Sequence, residues 1–308
     1  MGGKRDFLSI KELSFDEFHQ FLGLTAEVKK EPERFQGSLQ GKTLGLFFEK
    51  PSTRTRLSFE VGIYQLGGVG LFFSPQQLQL GRGETIADTA QVLSRYLDAL
   101  MGRVFSHQTL VELAHHGTIP VINGLSDRCH PCQGMADYFT IHEELGRLRG
   151  VRVCYIGDGN NVCHSLLLGG AKAGVDLRVV APKECAPDSQ VVNSALEDSS
   201  ISGGEVTVTD RIDEGVKGAE VVYTDVWVSM GEEKERARKL NLLQPYQVNK
   251  KLMALAEPGA IFMHCLPAHR GEEVTSEVID SKQSVVWNQA ENRLHFQKAL
   301  LIHLLKGE

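Results

Sequence analysis

The sequence predicts an α/β protein made of two doubly wound parallel-sheet domains with a ligand crevice between them. Three observations predict it. Short apolar runs alternate with helical patterns along almost the whole chain, the signature of βαβ units whose sheets are covered on both faces. These runs fall into two groups of similar size, joined by one helical stretch. The chain has 308 residues, beyond the length at which a single hydrophobic core usually stops growing.

In the first group the strand candidates are Thr43–Phe48, Val69–Phe73, Ala99–Arg103 and Ile119–Ile122. In the second they are Arg152–Ile156, Leu177–Val180, Val206–Thr209, Val221–Thr224, Ile261–His264 and Ser284–Trp287. Helical periodicity marks Thr53–Leu66, Thr85–Tyr96, Val162–Ala173 and Asn249–Ala256 between them. The joining stretch Gly134–Leu148 also reads as a helix, because Met135, Tyr138, Ile141, His142 and Leu145 fall near helical spacing. The domain boundary is expected near Gly150, giving a first domain of residues 1–149 and a second of 150–290. The last segment, Glu291–Leu305, reads as a helix that returns to the first domain, so residues 291–308 are assigned there. In such folds ligands are met outside the carboxyl ends of the strands.

Composition excludes several classes. An apolar fraction of 42% and a charged fraction of 23% are those of an ordinary globular protein. Net charge is −6 with the basic residues scattered, which argues against a nucleic-acid partner, since that needs a clustered basic surface. No segment approaches the roughly 20 apolar residues that cross a bilayer, and the N-terminus has neither a signal-peptide nor a transit-peptide pattern. The six cysteines have no disulfide-scaffold spacing, so a reducing, cytoplasmic setting is expected.

The most informative stretch runs from Phe47 to Glu60 through Pro51-Ser52-Thr53-Arg54-Thr55-Arg56. A strand ends, a proline punctuates, and Ser52 stands where a helix N-cap belongs. The next turn then offers backbone N–H groups at the positive end of a helix dipole, a site for an anion. Arg54 and the hydroxyls of Thr53 and Thr55 add donors suited to phosphate. The plainer reading is a capped helix with an exposed basic face, and Arg56, pointing away from Arg54, is read as structural.

The string Ser-Thr-Arg-Thr-Arg after Phe-x-x-x-Pro resembles the carbamoyl-phosphate loop of the aspartate/ornithine carbamoyltransferase family, and further motifs follow in that family's order. The resemblance makes Arg103, at a strand's carboxyl end, a second contact to phosphate or carbonyl. In Cys129-His130-Pro131-Cys132-Gln133 it implies that His130 and Gln133 donate to the carbamoyl group, with Pro131 and Cys132 lining the same site. In Gly157-Asp158-Gly159-Asn160-Asn161 it implies that Asn161 holds an amino acid's α-carboxylate. It makes Arg293 an arginine that closes over the carbonyl oxygen. It also aligns Gln79 with a residue that reaches into a neighbouring subunit's site.

Two motifs match the ornithine branch of the family. In Asp225-Val226-Trp227-Val228-Ser229-Met230-Gly231, the carboxylate of Asp225 is a partner for a cationic amine, and Ser229 and Met230 are implied ornithine contacts. In His264-Cys265-Leu266-Pro267, Cys265 stands at a strand end where it can help orient and deprotonate the attacking amine, and Leu266 offers its backbone carbonyl. Taken singly, Asp225 would be a helix cap, Met230 an incidental loop residue and Cys265 inert packing.

The implied reaction needs carbamoyl phosphate and L-ornithine and no metal or organic cofactor. Carbamoyl phosphate carries its own leaving group, so the protein must position, polarise and exclude water. Arg103, His130, Cys265 and Arg293 are the implied catalytic groups, and a homotrimer with shared sites the implied assembly. Four rivals remain. Putrescine or an N-acylated ornithine is an alternative acceptor. A dinucleotide-dependent oxidoreductase is disfavoured because Val162 stands where G-x-G-x-x-G needs its third glycine. Cys129-x-x-Cys132 suggests a redox pair or half a zinc site, but no second pair with zinc spacing follows. A non-catalytic anion-binding module would bind phosphate without transferring anything.

Overall fold

The computed structural model describes residues 4–77, 83–231 and 233–306. The strands are β1 (Thr43–Phe48), β2 (Val69–Phe73), β3 (Ala99–Arg103), β4 (Val121–Leu125), β5 (Arg152–Ile156), β6 (Asp176–Val180), β7 (Glu205–Thr209), β8 (Val221–Thr224) and β9 (Ile261–His264). The helices are α1 (Phe15–Lys30), α2 (Thr53–Gln65), α3 (Ile86–Tyr96), α4 (His107–His116), α5 (Pro131–Leu145), α6 (Asn161–Ala173), α7 (Ser189–Ser202), α8 (Ile212–Val216), α9 (Arg236–Leu243), α10 (Lys250–Met253), α11 (Ser276–Ile279) and α12 (Val286–Lys306). They form two compact units: Met1–Ala136 with Arg293–Glu308, and Asp137–Asn292.

The first unit holds a parallel sheet in the order β2-β1-β3-β4. The N-terminal segment adds to it, because Phe7 bridges Ile122 and donates its N–H to Val121. Phe47, Leu100, Val104, Leu110, Leu113 and Val121 form part of its core, and each fully buried side chain of this kind contributes about 1.5–3 kcal/mol. Helix α2 buries Thr55, Phe59, Gly62 and Ile63, which share one face at helical spacing. The α12 residues Phe296, Ala299, Leu300, Leu301 and Ile302 are also buried.

The second unit holds a five-stranded parallel sheet in the order β7-β6-β5-β8-β9. Helix α6 is buried on nearly every face, as an apolar helix packed in a core must be. Cys154, Ile156, Val222, Trp227, Phe262 and Val274 belong to the core of this unit.

Three expectations change. Ser284–Trp287 is not a strand: Ser284 makes a single bridge to Phe262, and Val286 already begins α12. Arg293 is therefore two turns into that helix and not in its first turn. The divide between units falls inside α5, earlier than Gly150, because α5 from Asp137 onward bonds to the second unit. Asp137 accepts from Tyr223 and Gln289, and the Tyr138 hydroxyl donates to the Leu166 carbonyl.

In each sheet the chain winds outward one way and then returns to the other side. The switch lies between β1 and β3 in the first unit and between β5 and β8 in the second. Adjacent crossovers leave opposite faces there, so the carboxyl ends of those strands stand open to a ligand.

Candidate active site: two half-sites at the strand ends

At the first switch point, β1 delivers Ser52 and β3 delivers Arg103. Ser52 is extended, and its Oγ accepts from the Thr55 N–H at 3.2 Å, capping α2. The cap aims the first turn of α2, with Thr53 and Arg54, beyond the strand ends. Thr55 is buried, and its hydroxyl accepts from Arg293 Nη2 at 2.7 Å. Arg103 is fixed through its backbone: the Glu49 N–H donates to its carbonyl at 2.9 Å, and the Glu49 carboxylate accepts from the Phe105 N–H at 2.7 Å.

His130 is buried just before α5, whose first residue is Pro131, a position that needs no N–H. Burial holds the imidazole well below its ordinary pKa, and the charges of Arg293 and Arg103 push it further down. A neutral ring in a nest of guanidinium groups donates a hydrogen bond without adding charge. Together Arg103, His130, Arg293 and the first turn of α2 are suited to a phosphorylated, polarisable acyl group. An open cavity of about 580 Å³ touches Ser52 and Thr53 but extends over Arg56 and Phe72, on the outer face of α2. Arg56 stacks on Phe72 and pairs with Glu60 at 3.0 Å, a structural role.

Gln133 is buried in the first turn of α5. Cys129 and Cys132 belong to the support of this turn. The Cys129 thiol donates to the Leu8 carbonyl and accepts from Asn123 Nδ2, and the Cys132 thiol donates to the Asn123 carbonyl. Burial pushes both thiols up to about 12, the opposite of what a redox thiolate or a zinc ligand needs. Gln79 lies outside the described residues.

The second half-site lies where β5, β8 and β9 end. Gly157 has φ +134, and a Cβ on Gly159 would stand 2.3 Å from the Pro187 nitrogen. Both glycines thus serve the turn and its close backbone approach. Asn160 caps α6 through Oδ1, which accepts from Val162 and Cys163, while its Nδ2 donates to Asp225 Oδ2 at 2.8 Å. The other oxygen of Asp225 accepts from the Cys265 thiol at 2.9 Å. Asn161 is the first residue of α6. Ser229 and the exposed Met230 follow in the loop after β8.

Sequence reasoning missed Asn160, His264 and Glu273. Asn160 carried a usable signal, an asparagine immediately before a helical run. The His264 ring accepts from the Leu266 N–H at Nδ1 and faces buried Glu273 at Nε2. Asp225, His264 and Cys265 bring three potential ligand atoms within 4.8 Å of one another. A cation there would take one ring nitrogen of His264 and displace the bond that nitrogen makes, to the Leu266 N–H or to Glu273.

Comparison with known proteins also divides the chain into two parts. Residues 5–143 match the carbamoyl-P binding domain of the aspartate/ornithine carbamoyltransferases, and residues 149–304 match their Asp/Orn binding domain. The ornithine carbamoyltransferase of Thermococcus kodakarensis is 52% identical over 98% of this chain and 97% of its own. An anabolic ornithine carbamoyltransferase of Pyrococcus furiosus shows the same identity and coverage. A solved structure of the Pyrococcus furiosus enzyme superposes with a TM-score of 0.95 at 51% identity, covering 99% of this chain and 98% of that one. The ornithine transcarbamoylase of Giardia lamblia, at 34% identity, still gives 0.90 over 99% of both chains. Both half-sites, both sheets and the full length of the chain therefore belong to one lineage: this is a member of the aspartate/ornithine carbamoyltransferase family.

Proposed function

We propose that the chain transfers the carbamoyl group of carbamoyl phosphate to the δ-amine of L-ornithine, giving L-citrulline and phosphate, as a step of arginine biosynthesis. The observation that carries this reading is Asp225. Its two oxygens are held by Asn160 and by the Cys265 thiol at the strand ends of a switch point, so a fixed carboxylate is offered to a cationic amine. A second carboxylate substrate arm, such as aspartate's, would be repelled by it.

In this reading the first unit, Met1–Ala136 with Arg293–Glu308, binds carbamoyl phosphate, and the second, Asp137–Asn292, binds ornithine. Ser52, Thr53, Arg54 and Thr55 hold the phosphate with Arg103. His130, Arg103 and Arg293 stabilise charge on the carbonyl oxygen as the amine adds to the carbonyl carbon. Pro131, Cys132 and Gln133 line the carbamoyl pocket, and Leu266 accepts from the carbamoyl or amine hydrogens. Asn161, Ser229 and Met230 hold ornithine. The δ-ammonium gives up a proton toward Asp225 and Cys265, attacks, and phosphate leaves with the bonding pair of the broken C–O bond.

The same proposal includes a homotrimer in which Gln79 completes a neighbour's site. Its support is an exposed apolar stripe on α2: Leu57 at 52%, Val61 at 38% and Tyr64 at 78% exposure, flanked by exposed Val69 and Leu71 on the edge strand β2. A second copy of the chain is the natural cover for such a stripe. A cytoplasmic location belongs to the reading as well, and six free thiols accord with it. Among the described residues no helix is long and apolar enough to cross a membrane.

The test is carbamoyl transfer to a panel of ornithine, putrescine, aspartate and N-acetylornithine. Citrulline formation with ornithine preferred is expected. A preference for putrescine would deprive Asn161 of its carboxylate partner and overturn the assignment.

A further inference from the structure

Among the described residues Leu266 is the one non-glycine with positive φ, at 59°. An L-residue in the left-handed region bears a steric cost from its Cβ, so a neighbour must hold it there. That neighbour is His264. Its Nδ1 accepts from the Leu266 N–H at 2.9 Å, and its Nε2 lies 3.2 Å from Glu273 Oε1. A peptide N–H only donates, which makes Nδ1 the acceptor and places the proton of a neutral ring on Nε2, facing the carboxylate. Both side chains are fully buried. Glu273 is anchored in turn by the His269 N–H at 2.5 Å, and the backbone N–H of His264 donates to Gln289 Oε1 at 2.9 Å. With both ring nitrogens engaged, none remains to take a proton from the adjacent Cys265 thiol.

We propose that His264 and Glu273 are positioning residues for the transfer: a clamp that holds the Leu266 peptide left-handed and so fixes its carbonyl for the substrates. The clamp rests on the assignment of Leu266 to the transfer site. It acts on the peptide after Cys265 and leaves the thiol alone.

Two substitutions separate the two sides of the ring. His264→Asn keeps an oxygen acceptor close to Nδ1, whereas His264→Gln keeps an amide near Nε2 and gives up the bond to Leu266. The asparagine variant is expected to retain activity within about tenfold of the native enzyme, and the glutamine variant to lose about a hundredfold in kcat/KM for ornithine. Carbamoyl-phosphate affinity measured without ornithine stays native in the asparagine variant and weakens in the glutamine variant, because the Leu266 carbonyl also meets the carbamoyl hydrogens. The pH profile of Cys265 alkylation by iodoacetamide stays unchanged in both, and it reports this residue because the other five cysteines are buried. If His264→Gln does not fold, Glu273→Gln and Glu273→Leu make the same comparison. The first keeps an acceptor for the ring and stays close to native kinetics, and the second loses ornithine use.

Equal losses in His264→Asn and His264→Gln, with a displaced alkylation profile, would overturn the clamp in favour of a ring acting on the thiol. Native ornithine kinetics in every folded variant would overturn the placement of Leu266 itself, and the clamp with it. Citrulline formation by the unaltered enzyme reads the transfer assignment separately.

Discussion

Arg293 Nη2 donates to Thr55 Oγ1 at 2.7 Å, a bond between residues 238 apart in the chain. Thr55 lies in the first turn of α2 and Arg293 two turns into α12. One hydroxyl thus fixes an arginine beside the first turn of α2. Thr55→Val keeps the shape and removes this acceptor from a buried guanidinium. Loss of a bond to a charged group costs about 1.5–3 kcal/mol, so kcat is expected to fall about tenfold to a hundredfold. Steady-state kinetics beside a thermal melt check this, and a melt that drops while kcat holds would sink it.

Asn160 links stability to ornithine use. Asn160→Ala removes the α6 cap and one of the bonds to Asp225. The cap contributes about 1 kcal/mol, equivalent to a fall in Tm of about 2–4 °C for a domain of this size. The KM for ornithine rises while carbamoyl-phosphate binding is spared. Asn160→Asp keeps a cap oxygen but replaces the donor to buried Asp225 with a second carboxylate, so it restores neither KM nor Tm.

The sequence made the strands legible, because parallel strands in a covered sheet are apolar throughout and stand out between polar turns. Ser284–Trp287 misled for the same reason. A Val-Val-Trp run has strand composition, yet α12 begins inside it, with Val286 buried and Trp287 exposed. The site was legible where each residue sits in a motif of its own. Partners distant in the chain were not. Nothing in sequence spacing joins Thr55 to Arg293, or His264 to a glutamate in an irregular loop. Asn160 and Asn161 are adjacent and identical, and only the helix start decides which one caps and bonds Asp225.

His130 sets a pH dependence of stability. Its folded pKa lies well below the ordinary 6.5, so below that value the unfolded chain binds a proton that the folded chain refuses. Stability from this group is complete above pH 6.5 and declines as pH falls further. Replacing it in His130→Asn is expected to make the acid limb of a plot of unfolding free energy against pH shallower. An unchanged slope between pH 6.5 and 4.5 would count against a buried neutral imidazole.

Cys129 and Cys132 are expected to be inert. With thiols raised to about 12, almost no thiolate exists at pH 8, and mild oxidants or reductants leave activity unchanged. Activity that switches reversibly with redox potential, and ceases to switch in Cys129→Ser, would restore the redox reading.

Shared sites predict complementation. Gln79→Ala and Arg54→Ala are each expected to be nearly inactive alone. Co-expressed in one oligomer they recover part of the activity, because some sites then pair an intact Gln79 with an intact Arg54. Light scattering that reports the mass of one chain would end the argument before any mixing.

The first unit contains both the opening residues of the chain and Arg293–Glu308. On a ribosome, its four strands emerge first but its share of the last helix, from Arg293 onward, is made only after the second unit. The second unit is one uninterrupted stretch that closes at Asn292, before Phe296, Leu300, Leu301 and Ile302 of the first unit's core are made. Arg293 arrives with that helix. A chain stalled or cut before α12 therefore lacks Gln289 from the second unit as well as Arg293 from the first, so both units wait for the last helix to be made.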